Sequence, residues 1–401
     1  MQRLWKFFSG FGLATTLLVI LGIQTWLATL EMVDAGLLAT LQKYFHWSSW
    51  YVLAKAPVFG SDLKLIIPMP GGYWVCALLM VNMILGGLIR ARKGWKTIGV
   101  LMSHFAIIFM IAAGGVAQVF EKRGVMILFE GDQSDYAVSL TDPTIEVLEL
   151  DGGQATGMVT VVGEPELRGL EPSDVRRVIL PDQPFDLELT GWLPNVAVRP
   201  ASGSQSSNPV VDGWRLLDLP VEKEGELNSP GCYARAIFAD GSKGDAFIMA
   251  VPPSGFIKGT FPPQVVEAEG RRFAVRLAKE TIPVPFPIQL DDAIAEYFPN
   301  SMKPKSFMSK IQRIEDGEQI KVDISMNEPM RRGGFTFFQR TMSGGPQAAG
   351  APEYSGLEVV SNPADKWPEY SLYMVAVGLF IHFVTKLWIF LLGSSRKPSK
   401  A

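Results

Sequence analysis

The chain has 401 residues, of which 48% are hydrophobic and 19% charged, and a formal net charge of −3. It is too apolar for one soluble domain and too polar for an all-membrane transporter, and its hydrophobic residues gather in four stretches. No basic domain stands out, so nucleic acid is not indicated as a partner.

The first stretch covers about residues 7–30, with FGLATTLLVILGIQTWLATL following the positive MQRLWK. Its apolar run exceeds a signal-peptide core and no A-x-A site follows before Glu31, so a retained helix is predicted. An outer loop over 31–72 comes next, with His46 set among Tyr44, Phe45, Trp47, Trp50 and Tyr51. Aromatic residues at this density normally form an interfacial belt on the membrane surface. The second and third predicted helices cover 73–89 and 98–120. Each stretch approaches or exceeds the roughly 20 residues that cross about 30 Å of hydrocarbon.

Between the second and third helices lies RARKGWK, with Arg90, Arg92, Lys93 and Lys96. Short loops this basic stay in the cytoplasm. Arg3 and Lys6 near the N-terminus and Arg396, Lys397 and Lys400 in the tail fall on the same side if four helices span. Both termini are then cytoplasmic. The 31–72 loop and the 121–369 segment are then expected outside, which for the inner membrane of a double-membrane bacterium means the periplasm.

From Gly124 onward the pattern is strand-like. VMILFEGD, TIEVLELDG, GMVTVVGE, FDLELTGWLP, ARAIFAD, RRFAVRLAKE, KVDISMN and FTFFQRTM alternate apolar and polar residues between turn formers. DDAIAEYF reads as one short helix, and the adjacent Asp291 and Asp292 then suit a helix N-terminus better than catalysis. Residues 200–213 and 343–356 are rich in Gly, Ser, Pro and Ala and read as mobile loops. A fourth hydrophobic stretch, 371–393, lies in the closing 370–401 segment with its basic tail. The predicted fold class is membrane α plus β. Three N-terminal helices within 1–120 and one C-terminal helix flank a large, mostly-β extracytoplasmic domain over 121–369.

Enzymatic signatures are missing from the outer segment. It contains no histidine, which excludes Ser–His triads and HExxH zinc sites there, and it carries no GxSxG, Walker or Rossmann fingerprint. Of the two cysteines, Cys76 lies in the second hydrophobic stretch and Cys232 in the polar segment. Depths this different argue against a disulfide between them. Two of the three histidines, His104 and His382, lie inside hydrophobic stretches. An imidazole within a membrane points by default to a functional site. If the helices pack together, two nitrogen ligands meet where water cannot compete, which favours haem over hydrolysis.

Several stretches together resemble the ResB-like (CcsB) family of system II cytochrome c biogenesis proteins. They are GYWVCALLMVNMILGGLIRARKG, SHFAI (103–107) leading to GVMILFEGD (124–132), IQLDDAIAEYFPNSMKPKSFMSKI (288–311), SMNEPMRRGGFTFFQ (325–339) and SNPADKWPEY before the last helix. The resemblance implies work with a polytopic CcsA/ResC-type haem-handling partner that carries a Trp-rich periplasmic segment. The complex would export haem b across the membrane and assist its attachment to the CxxCH thiols of apocytochrome c. A thioredoxin-like thiol reductant is compatible with that chemistry. A non-catalytic subunit of a holocytochrome c synthetase complex is more in keeping with this than a freestanding enzyme.

By the same resemblance His104 matches the family's intramembrane histidine, an axial ligand to the haem iron, with the partner supplying another. The alternative is a histidine hydrogen-bonded to a neighbouring helix, with Asn82 as a candidate partner. His382 is a further candidate haem ligand, with Lys386 at i+4 available to a propionate. Lys386 and Trp388 read more simply as anchors at the cytoplasmic interface. A porphyrin could also stack on the aromatics around His46, though a surface belt is the plainer reading. Gln24, Asn82 and Gln118 are expected to make interhelical hydrogen bonds. A membrane-anchored periplasmic scaffold or binding domain without haem chemistry is the alternative function. Whether Cys232 meets apocytochrome thiols stays open at this point.

Overall fold

The computed structural model describes residues 2–57, 64–151, 154–167, 169–203, 206–251, 262–299, 301, 303–343 and 353–394. The chain divides into two units, Met1–Glu121 with Asn362–Ala401, and Lys122–Ser361. The basic residues Arg396, Lys397 and Lys400 lie outside the described residues, as does most of the 343–356 loop.

The first unit is helical. It contains α1 (Gln2–Phe8), α2 (Phe11–Ala35), α3 (Leu37–Phe45), α4 (Gly72–Asn82) and α5 (Ile98–Phe120), with α6 (Trp367–Ser394) returning from the far end of the chain. A π-helical segment, Met83–Ile89, continues α4. Among the described residues, four helices are long and apolar enough to cross a membrane: Phe11–Ala35, Gly72–Ile89, Ile98–Phe120 and Trp367–Leu392. They are apolar on all sides, as lipid-facing helices must be. Large side chains such as Phe380, Phe383 and Phe390 stand exposed along α6.

Not all of the 31–72 stretch is the loop expected. After α3 it forms a hairpin of β1 (Tyr51–Pro57) and β2 (Lys64–Pro70). One face of the hairpin, with Val52, Ala54 and Met69, packs on Leu27, Ala28 and Tyr44. The other face exposes Tyr51, Leu53 and Ile66. Trp50 stacks on Trp74 of α4 with ring centroids 4.1 Å apart, which ties the hairpin base to the start of that helix.

The second unit is built of β3 (Lys122–Phe129), β4 (Gln133–Asp151), β5 (Gln154–Val162), β6 (Val175–Val178), β7 (Phe185–Leu193), β8 (Val196–Pro200), β9 (Trp214–Asp218), β10 (Gly231–Phe238) and β11 (Phe247–Ala250). It continues with β12 (Gln264–Ala268), β13 (Arg271–Tyr297), β14 (Pro304–Glu315), β15 (Glu318–Ser325), β16 (Met330–Arg332), β17 (Phe335–Met342) and β18 (Tyr354–Ser361). A mostly-β domain was expected and is found.

Two long strands organise it. In one half, β4 and β13 pair with each other and with β5 and β12, and the resulting sheet faces the four strands β11-β10-β7-β6. The core between them includes Ile145, Val147, Phe273, Leu187, Leu189 and Met249. In the other half the same two strands join the order β15-β14-β13-β4-β3-β18-β17-β16. That sheet curls until β14 and β15 meet β17 around Phe286, Ile288, Phe337 and Leu357. The switch falls in TIPVPFPI. Pro283, Pro285 and Pro287 cannot donate to a ladder, and pairing with β4 lapses between Pro283 and Ile288. Between them Val284, Phe286 and Ile288 still alternate into the core.

DDAIAEYF is not a helix. Residues 288–297 pair with β14, so the segment is the end of β13. Apolar spacing over eight residues is too short to separate the two periods, and the β14 ladder decides. Asp291 therefore caps no helix; it accepts from Gln312 Nε2 at 2.7 Å, and Asp292 pairs across the strands with Lys310 at 3.0 Å. Within 200–213, Asn208 donates to the Leu216 carbonyl and the Tyr233 hydroxyl donates to that of Pro209, so this stretch is fastened where it is described.

Two buried polar features mark the second unit. Ser309 donates to Gln339 Oε1 at 2.5 Å and lies 2.6 Å from the Ser355 hydroxyl, while Gln339 Nε2 donates to the Thr341 carbonyl at 3.0 Å. Lys279, at the first interruption of the β4–β13 ladder, donates to the carbonyls of Leu140 and Glu226 at 2.8 Å. Burial lowers the Lys279 pKa, opposed by the carboxylates of Glu226 and Asp142.

Gln339→Leu should strand the Thr341 carbonyl and cost about 1–3 kcal/mol. At roughly 2–4 °C per kcal/mol for a domain of this size, the melting temperature of the full chain in detergent should fall measurably. An unchanged melting temperature would show that the network contributes nothing. Because the folded Lys279 pKa lies below 10.5, the unfolded chain binds more protons between the two values. Stability from this group therefore rises with pH through that window. Lys279→Met should remove the rise, and a melting curve series up to pH 10.5 with the same slope in both proteins would rule it out.

Candidate functional site

Polar groups inside a membrane are first spent on satisfying the backbone. The chain breaks at Ser9–Gly10, between α1 and α2, and frees carbonyls there. Buried Asn82 donates to two of them, Phe8 at 2.7 Å and Gly10 at 3.0 Å. Asn82 is thus a cap for the α1–α2 break, and it is not the partner of His104. Gln24 donates to the carbonyls of Tyr44 and Pro70, and Gln118 to that of Phe45 at 2.9 Å. These amides link separate elements through backbone carbonyls.

His104 lies on α5, seven residues past Thr97, or roughly 10 Å along the helix. Its ring packs on Gly87 in the π-helical segment, and Nδ1 is 3.3 Å from the Gly87 carbonyl oxygen. That carbonyl is available because the π-helix ends at Ile89, which leaves its last acceptors without amide donors. Glycine suits this position, since a Cβ at residue 87 would stand a tight 3.0 Å from Nδ1. With Nδ1–H donating to the carbonyl, the lone pair sits on Nε2, the arrangement that ligating histidines use.

His382 lies on α6 where that helix presses closest to α5. A Cβ on Gly99 would fall 2.4 Å from the Gly378 carbonyl oxygen and 2.7 Å from the His382 backbone nitrogen. One on Gly378 would meet Ser103 Oγ at 2.6 Å. Ser103, next to His104, keeps its hydroxyl on its own helix by donating to the Gly99 carbonyl at 3.0 Å. The His382 Nδ1 is buried and has no hydrogen-bond partner among the described residues. Farther along, Phe109 and Trp367 stack at 4.8 Å and keep the two helices antiparallel and in register.

Both histidines thus border the same turns of α5, His104 toward the π-helix and His382 toward Gly99. Lys386 is exposed one turn beyond His382, and Trp388 beside it is exposed as well. His46 holds Ser48 Oγ at 2.6 Å and lies 5.7 Å from the Trp47 ring, outside this pair. Gly87, Gly99, Ser103 and Gly378 are the members the sequence left unmarked. Small residues four apart, as at 99 and 103, are the signal that could have found the helix contact. Among the described residues no group of three or more His, Cys, Asp and Glu side chains gathers to hold a metal ion. A tetrapyrrole, which brings four nitrogens of its own, needs only one or two imidazoles from protein.

Residues 259–351 match the ResB-like family. The match is consistent with a ResB/CcsB-type protein and fits a role in cytochrome c biogenesis. It spans β12 through β17 and leaves both His104 and His382 outside. No curated protein matches the chain. The apolar helices and this family together indicate a membrane protein.

Cys232 bears on thiol chemistry in the second unit. It is fully buried on β10 between core residues, and burial pushes its thiol up to about 12. It is therefore protonated and shielded, the reverse of a reactive cysteine. In a Cys76→Ala variant, folded protein should resist a maleimide at neutral pH and react only after denaturation. Rapid labelling of folded protein would restore Cys232 as a thiol-exchange candidate.

Proposed function

We propose that this chain is a subunit of a cytochrome c assembly complex that handles haem together with a partner, with His104 supplying one axial ligand to the transported haem iron. The observation that carries this is the His104 imidazole seated on Gly87, with Nδ1 turned to the Gly87 carbonyl. That contact holds the ring and leaves Nε2 as the coordinating atom, and the apolar surroundings exclude competing water. His382 is a further candidate imidazole, since its buried Nδ1 has no hydrogen-bond partner among the described residues, but it stands behind the close Gly99–Gly378 contact.

The basic 90–96 loop favours a cytoplasmic position for that end of the helices and an extracytoplasmic one for the second unit. Haem b would then be held in the membrane's inner half and passed outward to apocytochrome c. A polytopic CcsA/ResC-type partner would complete the path and the iron's coordination. Haem is cargo in this account, and the chain's own residues bind, orient and shield it.

The test is the absorption spectrum of the complex purified in detergent. Wild-type protein should carry a Soret band, and His104→Ala should lose most of it. His382→Ala should shift or weaken the band if that imidazole also ligates. An unchanged Soret band in His104→Ala would overturn the assignment. Normal c-type cytochrome levels in a deletion strain would favour the membrane-anchored scaffold instead.

A further inference from the structure

The π-helical segment Met83–Ile89 stands between His104 and an apolar cavity. Gly87 backs onto the imidazole, and Gly86 backs onto the start of the α1–α2 break, where a Cβ would meet the Ser9 carbonyl oxygen at 2.6 Å. Leu85, two residues before Gly87, lines a cavity of about 530 Å³ together with Gln2, Leu4, Trp5, Lys6 and Phe8. Lys6 also borders a second cavity of about 420 Å³ lined by Gly10, Leu13 and Thr16. The larger one lies within the range that holds small-molecule ligands.

Its chemistry is selective. Leu4, Trp5, Phe8 and Leu85 offer apolar surface with two aromatic rings, suited to a flat, apolar-faced molecule. Among the described residues Lys6 is the one cationic residue that borders it, and no carboxylate pairs with its ammonium. An apolar plane with an anionic edge complements both. π-Helical turns recur at functional positions, because the widened turn disrupts regular helix packing. Here one such turn carries both Leu85, which lines the cavity, and Gly87, which packs on the ring of His104.

We propose that the cavity between α1 and the π-helical segment is the receiving site for the tetrapyrrole on the basic side of the protein, before it reaches His104. The proposal rests on the haem-handling reading above and adds a second, ligand-independent binding position. Trp5 and Phe8 flank the ring, Lys6 pairs with a propionate, and Leu85 forms the wall toward His104.

Metal-free protoporphyrin IX tests it, since without iron the molecule cannot use an imidazole ligand. The full chain in lipid nanodiscs is titrated, and porphyrin emission is compared with empty nanodiscs. Wild type and His104→Ala should bind alike. Leu85→Trp, which fills the cavity, and Lys6→Glu, on an exposed side chain, should each weaken binding at least about tenfold. Wild-type affinity in both variants overturns the proposal. So does displacement of the porphyrin by an equal concentration of phosphatidylglycerol, which would mark a lipid site. The Soret test of His104→Ala fails or succeeds independently of this titration, so the two readings fall separately.

Discussion

Inside hydrocarbon no backbone carbonyl or amide can be left to water, and the helical unit is arranged around that constraint. Its elements are interrupted at Ser9–Gly10, at the α3 end and at the π-helical segment, and each interruption exposes carbonyls. Asn82 answers the first, Gln24 and Gln118 the second, and the His104 imidazole faces the Gly87 carbonyl at the third. Polar residues in spans therefore divide into two groups. The amide nitrogens of Asn82, Gln24 and Gln118 are consumed by the fold, with Gln24 Oε1 left buried and unpartnered among the described residues. The imidazoles of His104 and His382, by contrast, retain at least one ring nitrogen without a partner there.

The second unit meets the opposite problem, that of keeping one domain continuous across two cores. Strands β4 and β13 run through both, so the ladder between them is the shared element. Where the cores change over, three prolines at alternate positions suspend pairing without disturbing the inward alternation of Val284, Phe286 and Ile288. Lys279 fastens the first interruption by donating to carbonyls from two separate segments. A buried lysine tolerates its desolvation there only because those acceptors and nearby carboxylates compensate it.

The spans and most strands were legible because both rest on periodic patterns that need no partner to be read. FDLELTGWL alternates cleanly, and its strand appears as β7. What failed was decided by partners. DDAIAEYF carries an ambiguous period, and its pairing with β14 settles it as strand. KLIIPMP contains two prolines, which argue against a strand, yet as β2 it belongs to a two-stranded hairpin where missing donors are tolerated. At the candidate site both histidines were visible as residue types in improbable places. Their surroundings were not, because Gly87 and Gly378 act through close approach, which sequence spacing alone does not report.

That close approach also separates the two histidines in kind. At Gly99 the backbones of α5 and α6 nearly touch, and no ring fits between them at that level. A tetrapyrrole on His104 would have to lie on the side of α5 away from this contact. Bridging to His382 would require the helices to part at the one place where small residues let them pack most tightly. A second axial ligand is reached with less rearrangement if another polypeptide brings it. In the described packing, this chain is suited to provide one oriented imidazole and a shielded face, and His382 holds its nitrogen in reserve behind the glycine contact.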